Sequence, residues 1–291
     1  MQQGILTNSK EERVEENEAT EEEKLTRRSL LSGAGKIALT GAGIAALAGG
    51  LDVFSKAEAK EPRAFPWPYK KIDPDAAAEI AYQDWYDKYC GYAAISGILK
   101  PLQKSIGEPY SSFPMDVGVY LFGGGVTWGA MCGALVGVGI PVSMIAGDFG
   151  CLFPRGKHAA EIKKKTVTFN GINIMNDVIN SYCDNELPVY KPKKIVMADY
   201  TPEKSRSDSP LCHVRLEKWM KATGHEFGSP ERYEMCARLT ADVVKQTVIH
   251  LNALADGQYK TGNKMLPVIL HRVTTQHNCT DCHGKDFPNN K

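Results

Sequence analysis

From residue 73 to 99, apolar side chains return every four or five positions, at Ala76, Ile80, Trp85 and Tyr89. That is the period of one helix face. Asp73-Pro74 supplies the start, a side-chain cap followed by proline at the first helical position. The pattern predicts a helix with Cys90 near its end or in the next turn, more helix from Gly91 to Leu99, and a stop at Pro101. Pro109 to Pro114 reads as a loop. Val117 to Ile145 then carries no charge over 29 residues and holds eight glycines. Its length alone would allow a membrane span. The glycines and Pro141 argue instead for a buried, closely packed helix led by Gly123-Gly124-Gly125.

Phe149 to Asp208 shows no clear period. It holds a lysine run from Lys163 to Lys165, a strand-like Thr166-Val167-Thr168-Phe169, several prolines and a polar loop from Thr201 to Ser209. Helical signals resume from about Leu211 to Ala222, closed by Gly224. Ser229-Pro230-Glu231 opens another helix with a cap, a proline and an acid in the first turn. Met235, Leu239, Val243 and Val248 give that helix an apolar stripe, a core face, to about Leu254 before Asp256-Gly257 ends it. The predicted fold class is mainly α: a helical, cysteine-bearing core over residues 60–257 and a polar C-terminal tail over 258–291.

The N-terminal 59 residues read as an export signal. Thr26-Arg27-Arg28-Ser29-Leu30-Leu31 resembles the twin-arginine pattern, Ile37 to Gly50 is a mild Gly- and Ala-rich apolar stretch, and Ala57-Glu58-Ala59 is a small-x-small cleavage site. Cleavage near Ala59 starts the mature chain at Lys60, in the periplasm. The apolar stretch is too short and too glycine-rich for a good membrane span. The signal takes seven of the 35 Lys/Arg and ten of the 34 Asp/Glu, leaving 28 against 24 and a formal net charge of +4. A charge that small does not argue for nucleic acid. All eight cysteines and all seven histidines lie in the mature part.

The sharpest chemical signal is Cys279-Thr280-Asp281-Cys282-His283 in the tail. Two thiols two residues apart, followed at once by His, form the c-type haem attachment pattern. The thiols of Cys279 and Cys282 add to the two vinyl groups of one haem, and His283 falls under the iron as proximal ligand. The same letters also suit a redox Cys-x-x-Cys or half a zinc site. The second iron ligand is open among the other histidines. His277 and His271 are the leading candidates, and His277, two residues before Cys279, has a short tether for its own haem and reaches a partner's more easily. Met265 is the competing ligand. Paired His ligands give a low potential, and Met/His a higher one.

Four single cysteines, Cys90, Cys132, Cys212 and Cys236, fall on or beside predicted helices, most of them near small residues. Four thiolates are the usual ligand set of an iron–sulfur cluster. They also suit zinc, two disulfides outside the cytoplasm, or plain burial. Cys151 and Cys183 are left over in the least readable stretch.

The order Cys90, Cys132-Gly-Ala-x-x-Gly, Cys212, Cys236 resembles a redox-active family named for its C, GCAxxG, C, C pattern, with Cys and Gly of the middle motif exchanged here. With the exported N-terminus and the haem motif, the whole mature chain is similar to the split-Soret cytochrome c family. The stretches Gly125 to Gly139, Cys212 to Trp219 and Ser229 to Asp242 carry that similarity. The resemblance implies a mostly helical homodimer of periplasmic electron-transfer proteins. It implies haems clustered at one end, with one axial His from the partner subunit. It also implies an iron–sulfur centre of the two-iron type at Cys90, Cys132, Cys212 and Cys236. Members carry two haems per subunit, whereas this chain has one Cys-x-x-Cys-His, so one haem per chain is expected.

The function so read is single-electron transfer with redox partner proteins and no bond chemistry of the protein's own. The alternative is a haem enzyme or sensor with an open axial site acting on a small molecule. No nucleotide-binding loop, hydrolase triad or zinc-protease motif competes.

Overall fold

In a computed structural model, residues 65–147, 169–197 and 200–262 are described. The haem motif, His271, His277, Cys151 and the export signal lie outside them. Among the described residues five α-helices carry the fold: α1 Pro74–Ile106, α2 Gly133–Ala146, α3 Asn170–Asp184, α4 Cys212–Thr223 and α5 Pro230–Ala255. Extended pairing among the described residues is confined to two isolated antiparallel bridges, Met131 with Leu211 and Leu187 with Ser205. The mainly-α expectation is met.

The caps act where the sequence puts them. The Asp73 side chain accepts from the amides of Asp75 and Ala76 at the head of α1, and Ser229 accepts from the Arg232 amide at the head of α5. Each satisfies amides that have no partner within the helix. Gly224 closes α4 in the left-handed conformation, its amide bonding to the Met220 carbonyl.

Three expectations need correction. The helix over Gly91–Leu99 does not stop at Pro101 but continues to Ile106. Proline removes one ladder bond, and fully buried Leu99 and Leu102 hold the last turns against the core. The uncharged stretch from Val117 is not one long helix. A 3-10 segment, Met115–Leu121, precedes a loop, and helix begins only at Gly133. Gly123, Gly124, Gly125 and Gly129 all have positive φ, which a right-handed helix excludes. The unread stretch after Phe169 contains α3, whose buried positions Gly171, Ile174, Met175, Val178 and Tyr182 follow a helical period.

α1 makes its broadest contact with α5 and packs also on α2; α2 and α3 pack on each other and on α5. Leu135, Val138, Ile174, Leu239, Val244 and Trp219 meet in the shared core. Small residues set the α1–α2 spacing: a Cβ on Gly137 would stand 2.7 Å from both the Gly91 carbonyl oxygen and Ala94 Cβ. One polar cluster is buried with them. Fully buried Glu234 accepts from the Tyr82 hydroxyl at 2.9 Å, from the Tyr86 hydroxyl, and from Arg238 Nε at 2.7 Å. It ties α1 to α5. No helix among the described residues is long and apolar enough to cross a membrane.

Candidate metal centre

α1 is not continuous. Lys88 and Tyr89 leave helical geometry, Tyr89 at φ 62 and ψ −174, before the helix resumes. A bulky residue at positive φ is an outlier that only surrounding structure can hold. Here Tyr89 stacks on Phe122 with ring centroids 5.4 Å apart and meets Trp85 edge-on at 5.6 Å. The break re-aims the next residue, Cys90, into a cavity of about 330 Å³.

Cys132, Cys212 and Cys236 line the same cavity. A short backbone zipper brings Cys132 beside Cys212. The Cys132 amide donates to the Pro210 carbonyl at 2.9 Å, the Cys212 amide to the Ala130 carbonyl at 2.7 Å, and the His213 amide to the Gly129 carbonyl at 3.1 Å. Cys132 immediately precedes the first residue of α2, and Cys212 is the first residue of α4. Both thiols therefore sit at helix N-termini, where the helix dipole favours negative charge. Cys236 comes from α5, one turn after Arg232 and one before Thr240, and all three residues face the cavity. Gly133 keeps the approach open: a Cβ there would stand 2.7 Å from Cys90 Sγ and 2.2 Å from the Leu121 carbonyl oxygen.

Burial is the first influence on Cys90, Cys212 and Cys236. Burial pushes the Cys90 thiol up to about 12, with Cys132 and then Cys236 adding repulsion. Burial also raises Cys212, and Cys132, Cys236 and Cys90 all reinforce it. Cys236 is raised by burial, against which the Arg232 guanidinium acts both as a charge and as a hydrogen-bond donor. Cys90, Cys212 and Cys236, each raised by burial, belong to a site that a cationic group would convert to thiolates. No three Cys, His, Asp or Glu side chains among the described residues stand closely enough to hold a single ion. The four sulfurs line a common space without closing on one point, an arrangement with room for a group larger than one ion. The five described cysteines are free thiols.

Cys183 is not part of this set. It sits half-buried on α3, its thiol pushed up to about 12 by burial. Among the remaining histidines, His213 lines the cavity, His225 stacks on Trp219 at 5.5 Å, and His250 bonds to Gln246 at 2.9 Å. A larger cleft of about 550 Å³, bounded by Asp75, Tyr190, Asp242 and Lys245, has no cysteine or histidine in its walls.

Sequence reading missed what surrounds the sulfurs. Tyr89, Phe122, Trp128, Phe227 and Tyr233 contribute an aromatic wall, with Trp128 89% exposed at its edge. Arg232 lies over the rings of Phe227 and Tyr233, at 4.4 and 4.3 Å from their centroids. The i,i+4 spacing of Arg232 and Cys236 was the available signal for the arginine. Nothing local marked the aromatic wall.

No family model matches the chain. The split-Soret cytochrome c of Desulfovibrio desulfuricans is 30% identical over 268 residues, a match spanning 88% of this chain and 86% of that protein. The solved structure reporting a novel iron centre in the split-Soret cytochrome c from the same species is similar with a TM-score of 0.60 and 26% identity. That match covers 75% of this chain and 90% of the other. Identity of 30% over most of both chains makes this chain a member of the split-Soret cytochrome c family.

Proposed function

We propose that this protein is an exported electron carrier that moves single electrons between a c-type haem and an iron–sulfur centre. The family membership supports the haem electron-transfer part. Cys279 and Cys282 hold the haem through thioethers and His283 is its proximal ligand, one haem per chain. Cys90, Cys132, Cys212 and Cys236 ligate the second centre, of the two-iron type. The observation that carries this reading is their convergence on one cavity from four separate segments of the chain. The chain acts in the periplasm after twin-arginine export and cleavage near Ala59. It works as a homodimer whose partner subunit supplies the second axial ligand, His277 or His271.

Each centre, when bound, takes up and releases one electron without bond chemistry. The polypeptide's part is to hold ligands at fixed positions, so that little reorganises on electron arrival, and to set potential by burial and hydrogen bonds to sulfur. Cys132 and Cys212 are locked by backbone bonds on both sides of the Met131–Leu211 bridge. Cys90 is locked by the stacked Tyr89 beside it.

The test is a paired one on anaerobically purified exported protein: oxidised and reduced visible spectra, with haem, iron and acid-labile sulfide counted per chain. One six-coordinate low-spin haem with excess iron and sulfide is the expected result. Iron equal to haem with no sulfide would return the four cysteines to thiols or disulfides. A high-spin haem with an open site would turn the reading toward a haem enzyme or sensor.

A further inference from the structure

Arg215 is a charge buried in the core. It is 1% exposed. Its guanidinium lies over the Tyr182 ring at 4.9 Å and donates through Nη1 to the Ser205 carbonyl at 2.5 Å. Its Nε and Nη2 are buried with no hydrogen-bond partner, and no carboxylate pairs with it among the described residues. Arginine cannot shed its proton inside a protein. A buried charge left without a partner is strongly destabilising, so this one calls for a compensating negative group. The buried acid within its electrostatic reach, Asp242, takes its contact from the Val189 amide at 2.7 Å instead.

Arg215 lies outside the lining of the cysteine cavity but next to the residues that form it. Arg215 stands three residues after Cys212 on α4, so the two share a helix face. Its charge also acts on Cys236. Tyr182, beneath the guanidinium, faces Cys132 and Cys212; its buried hydroxyl closes no hydrogen bond of ordinary geometry and approaches the Cys132 sulfur. Arg232 is a second cation at the site, lining the half-exposed mouth of the cavity. It donates to the Phe227 carbonyl at 2.5 Å, reaches the Cys236 sulfur, and likewise forms no ion pair to a carboxylate among the described residues.

We propose that Arg215 and Arg232 are the counter-charges of an anionic sulfur-ligated centre in this cavity, and that they set its reduction potential. The inference rests on the reading of the four cysteines as ligands. A centre held by four thiolates carries net negative charge, and accepting an electron adds one more. Two fixed cations, one in the core and one at the mouth, stabilise the reduced form more than the oxidised form, most strongly where solvent does not screen them. They are positioning residues and bond to no metal.

The test is a spectropotentiometric titration of the non-haem centre in the whole exported protein, comparing wild type with Arg215→Met, Arg215→Lys and Arg232→Gln. Both charge-removing variants should shift the midpoint to lower potential, and Arg215→Lys should stay nearer wild type. Variants that keep their iron and sulfide with an unmoved midpoint would overturn the proposal. Should Arg215→Met fail to fold, Arg232→Gln decides alone, because its side chain is half-exposed and its loss leaves the core intact. Wild-type protein without non-haem iron and sulfide would sink the reading of the cysteines, and this proposal with it. Iron present with unshifted potentials sinks the proposal alone.

Discussion

Single side chains in this core carry unequal weight. Glu234 is fully buried and accepts from Arg238, Tyr82 and Tyr86. Glu234→Ala leaves the Arg238 guanidinium buried without its carboxylate, an expected loss of about 3–5 kcal/mol, read by denaturant unfolding. Cys236→Ser should remove the non-haem iron while covalent haem is retained, checked by metal and haem counts on one preparation. Asp242 is expected to show its burial as a pH effect. Burial pushes its carboxyl from 3.8 up to about 6, against the Val189 and Tyr190 amides and the charges of Lys245 and Arg215. Between those values the folded chain holds a proton that the unfolded chain has released. Stability therefore falls as pH rises from about 4 to about 6, by at most about 1.4 kcal/mol per pH unit for one group. Thermal midpoints across that range should slope less in Asp242→Asn, and an equal slope would assign the effect elsewhere.

At the scale of elements, glycine decides how close α2 lies to α1. The Cβ of Gly137→Ala meets the Gly91 carbonyl oxygen and Ala94 Cβ, both at 2.7 Å, and neither is the free end of a flexible side chain. The helices must part, at a cost of about 1–3 kcal/mol for overpacking, and chemical denaturation measures it. Gly133→Ala is expected to do more, because its Cβ meets both the Leu121 carbonyl oxygen and the Cys90 sulfur. Loss of non-haem iron should accompany the loss of stability there. Gly137→Ala should keep its iron.

At the scale of the whole molecule, the described helices form one core, and the proposed haem segment follows it in the chain. The core helices bury their apolar faces against one another, with Trp219, Leu135 and Val244 fully enclosed. Cys279→Ala with Cys282→Ala should therefore abolish covalent haem and leave the helical circular dichroism and the non-haem iron in place. A haem stain on a denaturing gel, beside the far-ultraviolet spectrum, checks both halves. A collapse of helix content would show that the core depends on the haem segment.

What the sequence determined by itself is what local chemistry encodes. Asp73-Pro74 and Ser229-Pro230-Glu231 set the starts of α1 and α5, and Gly224 set the end of α4, because caps act within one turn. The stripe Met235, Leu239, Val243 and Val248 is buried as its period predicts. The four cysteines were legible as a set through their order along the chain. What local reading could not supply was the outcome of competition at a distance. Leu102 in the core overrode the break expected at Pro101. Positive φ at four glycines turned an uncharged run into a loop before α2. The helix of α3 was hidden by a polar composition whose buried positions show only against α2 and α5. Helical spacing put Arg215 beside Cys212 and Arg232 beside Cys236, but only tertiary structure brought Tyr182 and the four sulfurs together with them, because the Coulomb interaction follows separation in space, and residues 182 and 232 lie far apart in the chain.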